Sequence, residues 1–587
     1  MATPAPATPT PSPSAATPAA ATPTTATPGV ATPAATATAA TPAAATPAAT
    51  ATAATPAAAT PTGKAAVGLL VGTAVASSGR PATRRTVVAG AAGLLAAAAL
   101  TGRAAQAATA PQMPTADQAQ MRRLSFGLTP ALAAEVAAAG GVTGWIQQQF
   151  EGVPDPDGDA VDSWFPYLNA SPTDVFVAVS QDFSNAFRVN WTRAGRFMMR
   201  ALYSRRQLFE RTVDFFTNYH LNVPTLGGDS YLGQPDLDRI VRTHAWGTYE
   251  ELLQAVVTSP AMMLYLDGYV STATALNENL GREVLELHTV GKSAGYTEAM
   301  VRDSARLLTG YCWGGYNPDA HATGSVQILD FSSANTSSDG RDVVQAYLKY
   351  LANHPATATR LATLLIQYFC TDAPSASYVQ SVADAYRSSG TDLKATLQAV
   401  FSHADFATVG QKLASPLESL LGSWRLRGIK AVPPTWKLGS GGWFDFATCS
   451  PAVALWCAED MGQQPLAWQT PDGYPTTSSY WDQANSFLAT WNYYGTTASR
   501  TPNFTGFTAD DFDTTFGLTS PVTFSDAVNA IAGRVWGRPA DAHLMSVSAT
   551  FLGITDTAVT ISASDWAYQA LNFVVQFALN HPMVAVR

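Results

Sequence analysis

The sequence predicts a mainly α fold: a multi-helix globular domain with one loop-rich aromatic segment. Three observations carry that expectation. Apolar residues recur at helical spacing through most segments beyond residue 108, strand-like alternation is scarce, and stop signals such as Gly140-Gly141 and Pro355 punctuate the periodic runs.

The chain has 587 residues, but its start cannot join a packed core. Residues 1–63 are almost entirely Ala, Thr and Pro, so no large side chain offsets the entropy of ordering them. We expect disorder over 1–74. No methionine lies between Met1 and Met113, which leaves Val71 or Val75 as alternative start positions. Residues 75–107 have the layout of a twin-arginine secretory signal: Arg84-Arg85, the apolar run Val87 to Leu100, then Ala105-Gln106-Ala107 as a cleavage site. The alanine-rich run is short of the roughly 20 residues that span a bilayer, so a cleaved signal is favoured over an anchor. Export to the periplasm or beyond follows, with a mature N-terminus near Ala108.

Cleavage would remove five basic residues (Lys64, Arg80, Arg84, Arg85, Arg103) and no acidic ones, so 34 basic against 43 acidic residues becomes 29 against 43. That balance argues against nucleic acid or an anionic membrane as a partner. Cys312, Cys370, Cys449 and Cys457 form no CxxC pair. In an oxidising setting Cys449 and Cys457 are the nearest pair for a disulfide; four buried thiols are the equal alternative.

Residues 108–587 form the expected helical domain. "TPALAAEVAAAGGVTGWIQQQF" reads as helix, Gly-Gly stop, helix. "RRQLFERTVDFFTNYHL" has apolar residues at helical spacing, and "GRDVVQAYLKYLANHPATATRLATLLIQYF" reads as two helices parted at His354-Pro355. "TDLKATLQAVFSH", "SPLESLLGSWRLRG", "TFSDAVNAIAGRVWG" and "DWAYQALNFVVQFALNHP" continue the pattern. "SVQILDF" (325–331) is the one fair strand. Residues 431–495 are loop-rich and aromatic, with Trp436, Trp443, Trp456, Trp468, Trp481 and Trp491. Such rings either stack on a ligand or pack an irregular region.

Within a chain only 13% charged, "NENLGREVLELHTVGK" (277–292) is dense in charge. On a wheel with Asn279 at 0°, Arg282 falls at about 300°, Glu283 at about 40° and Glu286 at about 340°, one shared face. Leu280, Val284 and Leu287 make a core stripe, and His288 falls at about 180°, so one helix cannot offer a carboxylate and His288 to one ion. Glu278, Arg282 and Glu286 are spaced for a ladder, and a second helix from Thr297-Glu298 to Gly310 offers Arg302 and Arg306. The expected structural network is Asn279, Arg282, Glu283, Glu286, Arg302 and Arg306, with the carboxylates meeting the arginines across a helical hairpin. The functional alternative makes Glu283, Glu286, His220 and His288 catalytic candidates. No motif assigns a metal or another cofactor.

These same residues resemble a family signature. "NENLGREVLELHTVG" followed by "GYTEAMVRDSARLLTGY" is similar to the pattern of the bacterial domain-of-unknown-function family 1800. "MRRLSFGLTPALAAEVAAAGGVTGWIQQQF", "DFFTNYHLNV", "KLASPLESLLGSWRLRG" and "MGQQPLAWQTPDGYP" resemble its other blocks. Gly281 stands where the family usually has Ala and Tyr311 where it has Trp. "NYH" holds one residue more than the family's "NH", which leaves Asn218 or His220 in the family position. The resemblance implies export and an exported sulfatase-like partner protein, and carries no reaction. Two functions remain open: a cell-envelope scaffold or binding protein acting with a partner, or a hydrolase of extracellular or cell-wall polymer, metal-dependent or not. No G-x-S-x-G, H-E-x-x-H or phosphate loop names a class.

Overall fold

The computed structural model describes residues 116–225, 231–312, 315–408, 412–434 and 449–586, all within one compact unit. The expected disordered segment and signal, and Trp436 and Trp443, lie outside the described residues. Helices dominate, as expected. Strands among the described residues pair only as two-stranded antiparallel hairpins or ribbons. The expected strand at 325–331 turns back on itself: Val326–Ile328 pairs with Phe331–Ser333, and Leu329 takes a left-handed φ of 50° in the turn. The aromatic segment is more helical than expected, with helices at Ser450–Asp460 and Ala484–Ala498. No helix among the described residues is long and apolar enough to cross a membrane. None of the four cysteines is in a disulfide, so Cys449 and Cys457 are not bridged; Cys449 stands at the N-cap position of the Ser450–Asp460 helix and Cys457 lies within it.

Nine helices position the features discussed below. They are α1 (Ala116–Leu124), α2 (Ser184–Tyr203), α3 (Gln207–Asp214), α4 (Gln234–His244), α5 (Tyr249–Val257), α6 (Asn279–Glu283), α7 (Glu298–Leu307), α8 (Pro355–Phe369) and α9 (Pro416–Arg427). Two π-helical turns extend them: π1 (Phe215–His220) continues α3, and π2 (Val284–His288) continues α6. Their starts follow local rules. Thr248 caps α5 and Ser415 caps α9, each in a reciprocal capping box with the glutamate three residues on. Pro355 opens α8 after His354, whose side chain accepts from Ala356 N. The largest core runs from Met121 to Trp481 and takes in α3 to α8. A second cluster, Tyr494 to Leu579 with Leu426, forms the C-terminal layer. A third joins α2 to α9.

Charge is buried where α2, α3 and α4 meet. Arg193, Arg196 and Arg200 lie at helical spacing on one face of α2. Arg200 pairs with Glu210 at 2.7 Å, Asp155 at 3.0 Å and Asp162 at 3.1 Å. Arg196 pairs with Asp238 at 2.6 Å and Asp162 at 2.8 Å. Arg242 on α4 closes the circuit on Glu210 at 3.1 Å and Asp238 at 3.4 Å. Burial alone would raise the Asp238 pKa, but Arg196, Arg242 and Arg193 outweigh it and hold that carboxyl below its usual range.

The α6–α7 crossing is close because of glycine. A Cβ on Gly281 would lie 2.5 Å from Ala305 N and 2.8 Å from its Cα. Alanine is the better helix former by about 1 kcal/mol, but overpacking a tight contact costs about 1–3 kcal/mol. Gly281→Ala should therefore lower stability in denaturant unfolding by up to about 2 kcal/mol. An equal or higher midpoint would show that α7 moves aside at little cost.

Candidate functional site

The two π turns meet in the core. A π turn bonds i to i+5 and accommodates an extra residue without displacing its neighbours. Leu221 N accordingly donates to Phe216 O at 2.9 Å. The additional residue of "NYH" lies in such a turn. π1 then presents Asn218, Tyr219 and His220 in three directions.

Asn218 and Tyr219 hold the loop 463–475. Leu466 N donates to Asn218 Oδ1 at 2.8 Å, and Tyr474 N donates to Asn218 O at 2.8 Å. Gln463 Nε2 donates to Tyr219 Oη at 2.8 Å, and Asn222 Nδ2 donates to the carbonyls of Trp468 and Thr470 at 2.8 and 2.9 Å. Gly473 has φ of 72°, and a Cβ there would fall 2.7 Å from the Tyr219 backbone. The loop can lie this close only with glycine at that point. Beneath it, Asp214 accepts from Tyr368 Oη at 2.5 Å and Asn218 Nδ2 at 2.7 Å. Burial pushes its pKa up to about 6, against the pull of Arg211.

His220 faces the other way, toward π2. Tyr249 Oη donates to the His288 carbonyl and lies 2.8 Å from His220 Nε2. The phenol has one proton and gives it to that carbonyl, so His220 must carry its proton on Nε2. His288 Nδ1 lies 3.2 Å from the His220 carbonyl and must be the donor there. Its Nε2 is buried without a partner. Both rings are therefore neutral. Burial lowers the His220 pKa well below its ordinary value, with His288 and Arg360 adding to the effect, and lowers that of His288 to about 4.

Glu283 and Glu286 point outward. Of the expected pairs only Arg282 with Glu278 is observed. Arg282 bonds Glu298 at 2.7 Å and Glu278 at 3.1 Å, and Arg302 bonds Glu278 at 2.8 Å. Glu286 bonds Lys292 at 2.7 Å, and Arg306 lies 3.6 Å from Asp303. Asn279 is exposed, its backbone N–H bonded to Asn277 Oδ1 at 2.9 Å. The wheel went astray at Val284, where π2 replaces the α repeat and takes Glu286 out of register with Arg282. For the same reason Leu285 is buried and Leu287 only half-buried. The resulting ladder is superficial: the Arg302 side chain is 70% exposed.

Glu283 is half-buried and has no ion pair among the described residues. Burial raises its pKa, the Glu286 carboxylate raises it further, and Arg282 and Lys292 only partly offset this; Asp472 adds a smaller upward push. Asp472 belongs to the loop 463–475 and accepts from Trp468 Nε1 at 2.9 Å and Thr470 Oγ1 at 2.5 Å. Tyr265, whose phenol donates to Gln469 O at 2.7 Å, lies in the field of both Asp472 and Glu283. Tyr296 lies in that of Glu286 and Glu283. Trp468 stands 5.0 Å from Tyr474 and 6.0 Å from the exposed Tyr480. Glu283 and Glu286 are thus brought together on an aromatic rim, while His220 and His288 lie in the core behind it. Among the described residues, no three of His, Cys, Asp and Glu are grouped to hold a metal ion.

The family model for proteins of unknown function DUF1800 matches residues 119–583. The chain belongs to the DUF1800 family. No curated protein matches it, and no solved structure does. In this DUF1800 chain, three of the segments that carry the resemblance, 214–223, 277–291 and 461–475, form π1, π2 and the loop 463–475, together a clasp. Sequence reasoning missed Tyr249, Asp214, Tyr368 and Arg360. Asp214 lay in view at the head of "DFFTNYHLNV"; Tyr249 and Tyr368 carry no local signal, since only the tertiary fold brings them to the π turns.

Two predictions follow from these charges. Arg302→Met should cost under about 1 kcal/mol, as for an exposed pair, whereas Arg200→Met should cost about 3–5 kcal/mol by leaving Asp155 without an ion pair and Glu210 with Arg242 alone. Equal losses in urea unfolding would contradict the ladder and core assignments. The second concerns pH. The unfolded chain protonates His288 near 6.5 and the folded chain near 4, so stability falls as pH drops through that window. Asp214 opposes this: its folded pKa of about 6 exceeds the ordinary 3.8, so the folded state gains protons, and stability, between them. Asp214→Asn removes the opposing effect. Its stability should decline more steeply than wild type from pH 7 to pH 4.5, by on the order of 2–3 kcal/mol more. A slope equal to or shallower than wild type would show that Asp214 does not titrate as described.

Proposed function

We propose that this DUF1800 protein is an exported, cell-envelope binding or scaffold protein that acts with a partner through the rim around Glu283. The observation that carries this reading is how the clasp spends its polar groups. The histidine rings and Tyr249 bond within the core, and the loop 463–475 is tied at five points to π1 and Asn222. What the clasp offers outward is a rigid rim of Trp468, Tyr265, Tyr296 and Tyr480 with Glu283, Glu286 and Asp472. Aromatic rings and charged groups on a rigid support suit recognition at an interface. The twin-arginine signal supports export, and the family resemblance supports an exported sulfatase-like protein as the partner.

A second reading is favoured by one observation. A half-buried carboxyl with a raised pKa beside a second carboxylate is the arrangement of a proton donor in polymer hydrolysis. Here Glu283 would donate the proton, and Glu286 or Asp472 would hold the complementary charge.

One set of variants separates the two. Trp468→Ala and Glu283→Lys should each weaken co-purification with the sulfatase-like partner about tenfold or more while leaving the melting temperature near wild type. Glu283→Gln should matter little to that binding. Loss of hydrolysis of cell-wall polymer by Glu283→Gln, with partner binding intact, would move the assignment to the enzyme. Undiminished binding by both Trp468→Ala and Glu283→Lys would remove the rim as the interface.

A further inference from the structure

A groove of about 310 Å³ runs along one face of α5 and shares no residue with the rim around Glu283. Glu251, Gln254, Ala255 and Thr258 line it, at the i, i+3, i+4, i+7 spacing of a single helical face. The face behind them, with Leu252, Leu253, Val256 and Val257, is buried in the core and holds α5 in place. Gln345 and Leu348, from the helix Arg341–Asn353, line the groove too, with His244 from the end of α4 and Tyr311. Gln254 Nε2 donates to the Gln345 carbonyl at 3.3 Å, which ties the two helices together across the groove.

The polar groups of this groove are only partly used. Glu251 Oε2 accepts from Thr248 Oγ1 at 2.9 Å in the capping box, and Oε1 is left over. Gln254 bonds through its nitrogen and keeps its oxygen. The side-chain amide of Gln345 and the hydroxyl of Tyr311 have no hydrogen-bond partner among the described residues. Tyr311 is half-buried, its ring edge-on to Tyr316 at 4.9 Å. Burial pushes its pKa up to about 12, so at neutral pH the hydroxyl keeps its proton and both donates and accepts. A polar group drawn partly out of water without a partner in the chain is suited to one from outside.

The lining selects the class of ligand. Its one carboxylate, Glu251, stands 4.0 Å from its one histidine, His244, so the groove concentrates neither sign of charge and suits an uncharged ligand. Its apolar part is only Ala255 and Leu348, and a hydrocarbon there would leave the amides and the phenol unpaired. Extended peptides are held by a sheet edge or by apolar pockets, whereas helices carry six of the eight residues that line this groove or flank them directly. Amides and phenols both donate and accept, as the hydroxyls of a sugar do. The volume is at the lower end of small-molecule sites, which begin at about 300 Å³. We propose that this groove binds a short neutral saccharide. The side-chain amides of Gln254 and Gln345 bridge neighbouring sugar hydroxyls, the Tyr311 hydroxyl bonds a third, and Glu251 Oε1 accepts from a fourth.

The test uses the full chain and saturation-transfer NMR titrations with two neutral disaccharides, maltose and cellobiose, up to about 20 mM. At least one should bind saturably, with a Kd on the order of 1 mM. Gln345 is exposed, so Gln345→Ala should melt near wild type while binding about tenfold more weakly. Tyr311→Phe keeps the ring, removes the hydroxyl and should bind about three- to tenfold more weakly. Saturable binding that weakens in either variant supports the site, and Gln345→Ala decides alone should Tyr311→Phe fail to fold. No saturable binding of either disaccharide, or binding unchanged in the folded variants, overturns the proposal. Tighter binding of trialanine than of both sugars also overturns it and makes the groove a peptide site.

Discussion

The buried circuit of Arg196, Arg200 and Arg242 with Asp155, Asp162, Asp238 and Glu210 is the constraint on which the site depends. Glu210 is wholly buried and takes charge from two helices, Arg200 on α2 and Arg242 on α4. Such a circuit adds little stability over a well-packed apolar core, because desolvation offsets most of the attraction. Its effect is on geometry. Each carboxylate can be satisfied only if the three helices hold one axial register, since a shift of one residue would strand a buried charge. Glu210 is one turn before Asp214, so the register set by arginine also fixes where α3 gives way to π1.

From that point the structure is carried by hydrogen bonds rather than ion pairs. π1 and π2 each leave backbone carbonyls that an α-helix would have used, and the chain meets them with side chains from elsewhere. Tyr249 takes the His288 carbonyl, His288 takes that of His220, and Arg360 Nε reaches Leu287 O at 3.2 Å. The histidines here are neutral hydrogen-bonding groups whose tautomers are set by their carbonyl partners. Protonating either would place a charge in a site whose one unpartnered atom, His288 Nε2, has nothing to receive it.

Much of the architecture was legible in the sequence. The helix pair parted at His354-Pro355, the Gly-Gly stop after residue 139 and the second helix from Thr297 all fall where capping and proline rules put them. What failed was any inference that assumed 3.6 residues per turn through Val284, because no local residue preference marks a π turn. The ladder was legible as a type of interaction and in its Arg282–Glu278 pair, but Glu298 took the place expected for Glu286 on Arg282, and Glu278 holds Arg302 in place of Glu283 or Glu286. The buried circuit was not read from the sequence, although Arg193, Arg196 and Arg200 share a helical face in a chain poor in charge. Its acids come from three separate segments, and only the fold unites them.

The state of Glu283 follows from the same geometry. Had α6 continued as α-helix, Glu286 would lie one turn beyond Arg282 and share its charge, and Glu283 would lie beside a neutralised neighbour. The π turn instead sends Glu286 to Lys292 and leaves Arg282 committed to Glu278 and Glu298. Glu283 then lies in the field of Asp472 of the loop 463–475, with no ion pair of its own among the described residues. An exposed carboxylate in that position would simply be solvated. A half-buried one is held in a higher-energy charged form, which favours its protonation. The residue that buries His288 in the core and the one that raises Glu283 at the surface thus belong to a single irregular turn, and the rim's chemistry is inseparable from the core's hydrogen bonding.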